Sequence, residues 1–176
     1  MLISPRSRWA RASLWAFRSE MRAGQRAGSG ATYDTPLIIH ASCVSYDGRA
    51  VLISGASGRG KSGLALQLMA LGAGLVADDR TCLTVADRRG QPHLMASVPD
   101  SLRGRIEARG VGILNADVVG PSPVALAVNL DQTETQRLPP SRHCEFLSIP
   151  VPLLHMVDSS AFPAAILQYL KAGRFA

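Results

Sequence analysis

The sequence predicts an α/β fold, and three observations carry the prediction. Two apolar runs of strand length, residues 37–44 and 50–54, flank Tyr46-Asp47-Gly48-Arg49; a segment with helical spacing follows the second run; and a further short run, Leu75-Val76-Ala77, leads into Asp78-Asp79. Strand, glycine-rich segment, helix and strand in that order, from Val51 to Asp79, make a βαβ unit, which places ligands at the carboxyl ends of its strands.

Each element has a local reason. The first two runs read as paired strands because Asp47-Gly48 accepts the left-handed backbone of a tight hairpin turn. In residues 63–70, Leu64, Ala65, Leu68 and Met69 fall at the spacing of a helix that buries one face, and Gly72 and Gly74 stop it. Residues 75–77 read as a buried strand. Residues 81–85 and 93–98 read as short strands around a turn at Arg88-Arg89-Gly90, residues 124–130 and 146–151 as two more, and residues 163–172 as a terminal helix.

Charge and composition exclude several classes. The net charge of +6 is concentrated at the start, where residues 1–30 hold six arginines against one acid and so carry +5, leaving +1 for the rest. A near-neutral body lacks the clustered Lys and Arg of a nucleic-acid face. Apolar runs such as residues 124–128 are far too short to span a bilayer. Three cysteines, Cys43, Cys82 and Cys144, with no CxxC spacing, read as reduced thiols of a cytoplasmic protein. The Arg-rich segment 1–34 lacks the apolar centre of a secretory signal and is expected to be a disordered extension, with a short amphipathic helix through Trp9, Leu14, Trp15 and Phe17 as the alternative. Residues 35–176 are expected to form one domain.

The chemistry centres on Gly55-Ala56-Ser57-Gly58-Arg59-Gly60-Lys61-Ser62, which fits GxxxxGK[ST] and lies between a strand and a helix as that motif requires. Glycines let backbone N–H groups turn inward around an anion, the helix start directs its positive end at phosphates, Lys61 reaches the β and γ oxygens, and Ser62 offers a hydroxyl to Mg²⁺. Such a site needs a carboxylate nearby, which Asp78 or Asp79 can supply; on a strand their side chains point to opposite faces, so one faces the site while the other caps a turn or meets a cation. His40, at the end of an apolar run, reads either as a hydrogen-bonded core group or as a neighbour of the phosphates. In residues 106–115, Glu107 and Arg109 stand beside Gly110 and Gly112, as in a mobile loop around charged groups.

Together these pieces resemble the catalytic domain of the bacterial HPr kinase/phosphorylase family. The strand with His40, the loop 55–62, Leu75-Val76-Ala77-Asp78-Asp79 and Ile106-Glu107-Ala108-Arg109-Gly110-Val111-Gly112-Ile113 occur in the family's order, and the last two are the specific ones. The resemblance implies a P-loop domain of the HPr kinase and PEP carboxykinase-like type, a mixed sheet with flanking helices. It implies ATP and Mg²⁺, with Lys61 on the phosphates, Ser62 and Glu107 on the metal together with Asp78, Asp79 as general base, and His40 beside that base. Arg137, in Gln136-Arg137-Leu138-Pro139, resembles a later active-site arginine. The implied partner is a small HPr-type phosphocarrier of the phosphotransferase system, phosphorylated on serine, and the implied assembly is a homo-oligomer, a hexamer in the family.

This chain is similar to the truncated form of alphaproteobacteria, with only a short segment before the first core strand. Where the family has a Pro-Gly-Arg loop tied to the reverse, phosphate-driven dephosphorylation, the sequence reads Pro150-Val151-Pro152-Leu153-Leu154-His155, which puts that activity in question. Residues 110–123 are expected to move when the carrier docks. The rival readings are a nucleotide-binding regulatory module without transfer activity and a small-molecule kinase, which would leave residues 107–112 unexplained.

Overall fold

A computed structural model describes residues 35–88 and 90–175. The extension 1–34, including the alternative of an amphipathic helix, lies outside the described residues, as does Arg89 in the turn at 88–90. The chain runs β1 (Leu37–Ile39), β2 (Ser42–Tyr46), β3 (Arg49–Ser54), α1 (Lys61–Ala70), β4 (Gly74–Ala77), β5 (Thr81–Arg88), β6 (Gln91–Ser97), a short 3-10 turn (Asp100–Leu102), β7 (Arg105–Ala108), β8 (Gly112–Asn115), β9 (Ser122–Thr133), β10 (His143–Phe146), β11 (Ile149–Met156) and α2 (Phe162–Ala172).

Nine strands form one mixed sheet. Its path is β1-β5-β6-β9-β3-β2-β4, with β11 also paired to β9 and β10 to β11. The pairs β3/β9 and β9/β11 are parallel and the others antiparallel. The βαβ unit is split: β2 lies between β3 and β4, antiparallel to both, so β3 and β4 run in the same direction without touching. Their carboxyl ends still share one edge of the sheet, and that is what the site requires.

Alternation along the central strands divides the core. Val51 and Ile53 of β3 pack with Leu64 and Leu68 of α1 and with Ile166 and Leu170 of α2. Leu52, between them, faces the other way, into a cluster with Leu83, Leu94 and Phe146. Both helices therefore cover one face, and β5, β6, β10 and β11 contribute the side chains that close the other; the expected flanking helices do not sandwich the sheet. A side chain such as Ile53 or Leu68, fully buried, contributes about 2–3 kcal/mol by leaving water.

Local chemistry explains where elements begin and end. Asp47 and Gly48, at φ 49° and 71°, make the two-residue turn between β2 and β3. Helix α1 starts at Lys61, as the motif requires, and stops through paired bonds from Gly72 N–H to Met69 O (2.9 Å) and Ala73 N–H to Leu68 O (3.0 Å). Gly72 carries the left-handed turn of that stop at φ 101°.

Three expectations are corrected. The run 37–44 is not one strand: a bond from Ala41 N–H to Ile39 O (3.1 Å) turns the chain at His40, sending β1 to β5 and β2 to β3 and β4. The expected strand 146–151 straddles a second tight turn, Leu147 and Ser148 at φ 49° and 63°, between β10 and β11. The expected loop at 106–115 is a hairpin, β7 paired with β8, in a two-stranded sheet of its own.

Candidate active site

The loop 55–62 connects the end of β3 to α1 at the carboxyl edge of the sheet. Gly55, Gly58 and Gly60 take φ of 149°, 87° and 92°, backbone that side-chain-bearing residues rarely adopt. Lys61 is buried, and its Nζ donates to the carbonyls of Gly55 (2.9 Å) and Ala56 (3.3 Å), which leaves one of three ammonium protons uncommitted. Burial lowers the Lys61 pKa, while the carboxylates of Asp79, Asp131, Asp78 and Glu107 pull it back up. A bound polyphosphate would favour the charged form that burial disfavours, against the repulsion of the four carboxylates.

The two adjacent acids divide their work. Asp78 is buried, and its Oδ1 accepts hydrogen bonds from Ser42 Oγ (2.5 Å) and Ser62 Oγ (2.9 Å), while Oδ2 accepts from Glu107 N–H (3.0 Å). One carboxylate thus ties β2, the start of α1 and the β7–β8 hairpin together. Asp79 points outward, its side chain 68% exposed. It sits at φ 66° under a bond from Arg80 N–H to Asp78 O (2.8 Å), a strained three-residue turn. Its Oδ1 lies 2.9 Å from His40 Nε2, whose side chain is 39% exposed and so is not a buried core group. Thr81 Oγ1 donates to Ala41 O (2.8 Å) and pins the His40 turn against β5.

Donors suited to Mg²⁺ are present. Magnesium prefers hard oxygen ligands and keeps part of its water and phosphate shell, so a hydroxyl and one or two carboxylates suffice. Ser62 and Asp78 already share a hydrogen bond, and the exposed Glu107 carboxylate makes no hydrogen bond or ion pair among the described residues. No cluster of three or more His, Cys, Asp or Glu side chains forms a self-sufficient metal cage among those residues.

Arg137 is not brought into this constellation. It lies exposed after β9, with no hydrogen bond or ion pair to the other site residues. Two residues that sequence reasoning did not assign to the site do stand at the loop. Asp131, at the end of β9, accepts Ala56 N–H at both oxygens (3.0 and 3.1 Å); an apolar run ending in an acid on the strand beside β3 was its signal. Arg109, at the end of β7, brings a guanidinium nitrogen to 3.7 Å from where a Cβ on Gly58 would stand. All three cysteines are free thiols, and burial pushes the Cys144 thiol up to about 11.

Asp78→Ala is expected to strip the acceptor from two hydroxyls and an amide and to destabilise the domain by about 3 kcal/mol. Urea unfolding measures this; an unchanged midpoint would mean that those donors find other partners.

The family model for the HPr serine kinase C-terminal domain matches residues 33–137, more than half of the chain. The chain belongs to this family. The match takes in β1 to β9, the phosphate loop, Asp78, Asp79 and the β7–β8 hairpin, and ends at Arg137. An HPr kinase/phosphorylase of Aromatoleum aromaticum is 36% identical over 126 residues, 64% of this chain and 39% of that protein. One from Chloroherpeton thalassium is 42% identical over 80 residues, 46% of this chain and 23% of that protein. The chain thus spans about a quarter to two fifths of the length of these curated relatives. The solved structure of the HPr(Ser) kinase/phosphatase from Coxiella burnetii is similar in fold, with a TM-score of 0.61 at 25% identity, covering 77% of this chain and 88% of that one. Among the described residues of this HPr kinase domain, no helix is long and apolar enough to cross a membrane.

Proposed function

We propose that this chain is an ATP- and Mg²⁺-dependent protein kinase that phosphorylates a serine of a small HPr-type phosphocarrier. The observation that carries the proposal is the division of the acid pair beside the phosphate loop: Asp78 buried on Ser62, Asp79 exposed on His40. A pure nucleotide-binding module needs the first acid and has no use for the second.

Phosphoryl transfer is mostly positioning and charge neutralisation. Backbone N–H groups of the loop beyond Ala56 and the Lys61 ammonium hold the β and γ phosphates. Ser62, Asp78 and Glu107 would hold Mg²⁺, which would supply further neutralisation of the phosphate charge. With one Asp79 oxygen fixed by His40, the other takes the proton of the acceptor serine; the serine oxygen then forms its bond to the γ-phosphorus as the bond to the β–γ bridging oxygen breaks, giving phosphoserine and ADP. The domain is residues 35–176, and the family reading extends to a cytoplasmic hexamer and to an active-site role for Arg137, which lies exposed after β9. The names of the relatives include a phosphorylase activity, but here the tight hairpin around Leu147-Ser148 and the sequence from Pro150 to His155 leave out the Gly-Arg on which the reverse reaction depends.

Incubation with labelled ATP, Mg²⁺ and purified HPr-type carriers tests the proposal. Label on a carrier, abolished by EDTA, is expected. ATP binding without transfer to any carrier favours the regulatory module, for which the altered segment 150–155 is the motivating observation.

A further inference from the structure

Asp131 stands where a strand-end metal-binding acid of a nucleotide site is expected. β9 is the parallel neighbour of β3, and Asp131 follows the apolar residues Val128 and Leu130 near its carboxyl end. Its contacts give it another task. The Ser62 hydroxyl, which marks the metal position, goes to Asp78, whereas Asp131 takes Ala56 N–H at the entrance of the loop. Asn129 Oδ1 fixes the Asp131 backbone by accepting its N–H at 2.9 Å. Arg59, from the middle of the same loop, donates to Leu130 O from Nε (3.1 Å) and Nη2 (2.7 Å), with Nε 3.4 Å from Asp131 Oδ1. Gly55 leaves no slack: a Cβ there would stand 3.2 Å from Leu130 Cβ.

The arrangement holds the loop in place at a cost, because it puts a carboxylate beside the place where the phosphates must sit. Asp131 is close enough to act on the Lys61 ammonium, so it is close enough to repel a triphosphate bound there. We infer that Arg59 and Asp131 form a charge-compensated brace: Asp131 anchors the phosphate loop through Ala56, and Arg59 cancels the negative charge that this anchor brings to the nucleotide. Both are positioning residues, and their assignment rests on the nucleotide reading of the loop.

The test is direct titration of ATP–Mg²⁺ into the full chain, which needs no carrier. Arg59→Ala weakens binding about tenfold, the size of a typical close-pair coupling. Arg59→Lys, which keeps the charge without the fork, retains most of the affinity. Asp131→Asn introduced into Arg59→Ala restores most of what was lost, since the uncompensated charge is gone. The loss in Arg59→Ala also shrinks as salt is raised. A double variant as weak as or weaker than Arg59→Ala, or a lysine variant as weak as the alanine one, makes the brace merely mechanical and overturns the inference. Arg59→Gln, which can still reach Leu130 O, repeats the measurement if the alanine variant loses its fold, and is expected to weaken binding as alanine does. Wild-type chain that fails to bind ATP removes the nucleotide reading and this inference with it; wild-type binding without phosphoryl transfer removes the kinase reading alone.

Discussion

Asp79→Asn lowers phosphoryl transfer to the carrier by about 10²–10⁴-fold, the usual contribution of a positioned general base, and leaves ATP binding as tight as before or slightly tighter. The amide keeps the shape of the carboxylate and can still accept from His40 Nε2, 2.9 Å away in the wild type, so the strained turn at φ 66° has no reason to relax. What is lost is the capacity to take a proton. Asp79 makes no bond to Ser62 or Lys61, and its negative charge acts on Lys61 beside the phosphates, so removing that charge costs the nucleotide nothing and favours it slightly. Parallel transfer assays and ATP titrations check this. A variant that transfers at the wild-type rate contradicts the role of Asp79, and one that loses ATP binding places Asp79 on the nucleotide instead.

Lys61→Met abolishes measurable ATP binding and lowers transfer by about 10²–10³-fold or more, as expected when a preorganised charge on the transferring group is removed. Four carboxylates, Asp79, Asp131, Asp78 and Glu107, act on Lys61. Without the ammonium their negative charge faces the phosphates unopposed. Stability should move the other way. Burial is the largest influence on Lys61 and disfavours its charged form, so the ligand-free fold gives up little when an apolar chain of similar length takes its place. Thermal unfolding is expected to show an equal or higher midpoint alongside the lost binding, the signature of a residue kept for function at the expense of stability. A sharply lower midpoint would make Lys61 a structural group.

How much of this could be read from the sequence depended on whether a residue's chemistry forces its conformation. The loop 55–62 was legible because glycines at positive φ and a Lys-Ser pair at a helix start have few other uses. The turn at Asp47-Gly48 was legible for the same reason; its counterpart at Leu147-Ser148 was not, since neither residue announces a left-handed backbone and the pair sits inside an apolar run. The break at His40 escaped notice because residues 37–44 carry no Gly or Pro, and the turn is held by tertiary contacts, Thr81 Oγ1 on Ala41 O and β1 on β5. Strand alternation predicted that Asp78 and Asp79 face opposite ways, but both lie beyond β4, and it is the turn at Asp79 that separates them, with Ser42, Ser62 and the Glu107 amide holding Asp78 inward. Asp131 and Arg109 reach the loop from elements far away in sequence: the apolar run that ends in Asp131 marks a strand-end acid without saying which loop it meets, and no local pattern marks Arg109.

The kinase assignment of this domain stands or falls on mapping of the phosphate on an HPr-type carrier incubated with the chain, ATP and Mg²⁺, with the carrier's acceptor serine intact or replaced by alanine. One phosphate on that serine and none on the alanine carrier is the expected result. Phosphate on a histidine, or on neither carrier while ATP is bound, would contradict it.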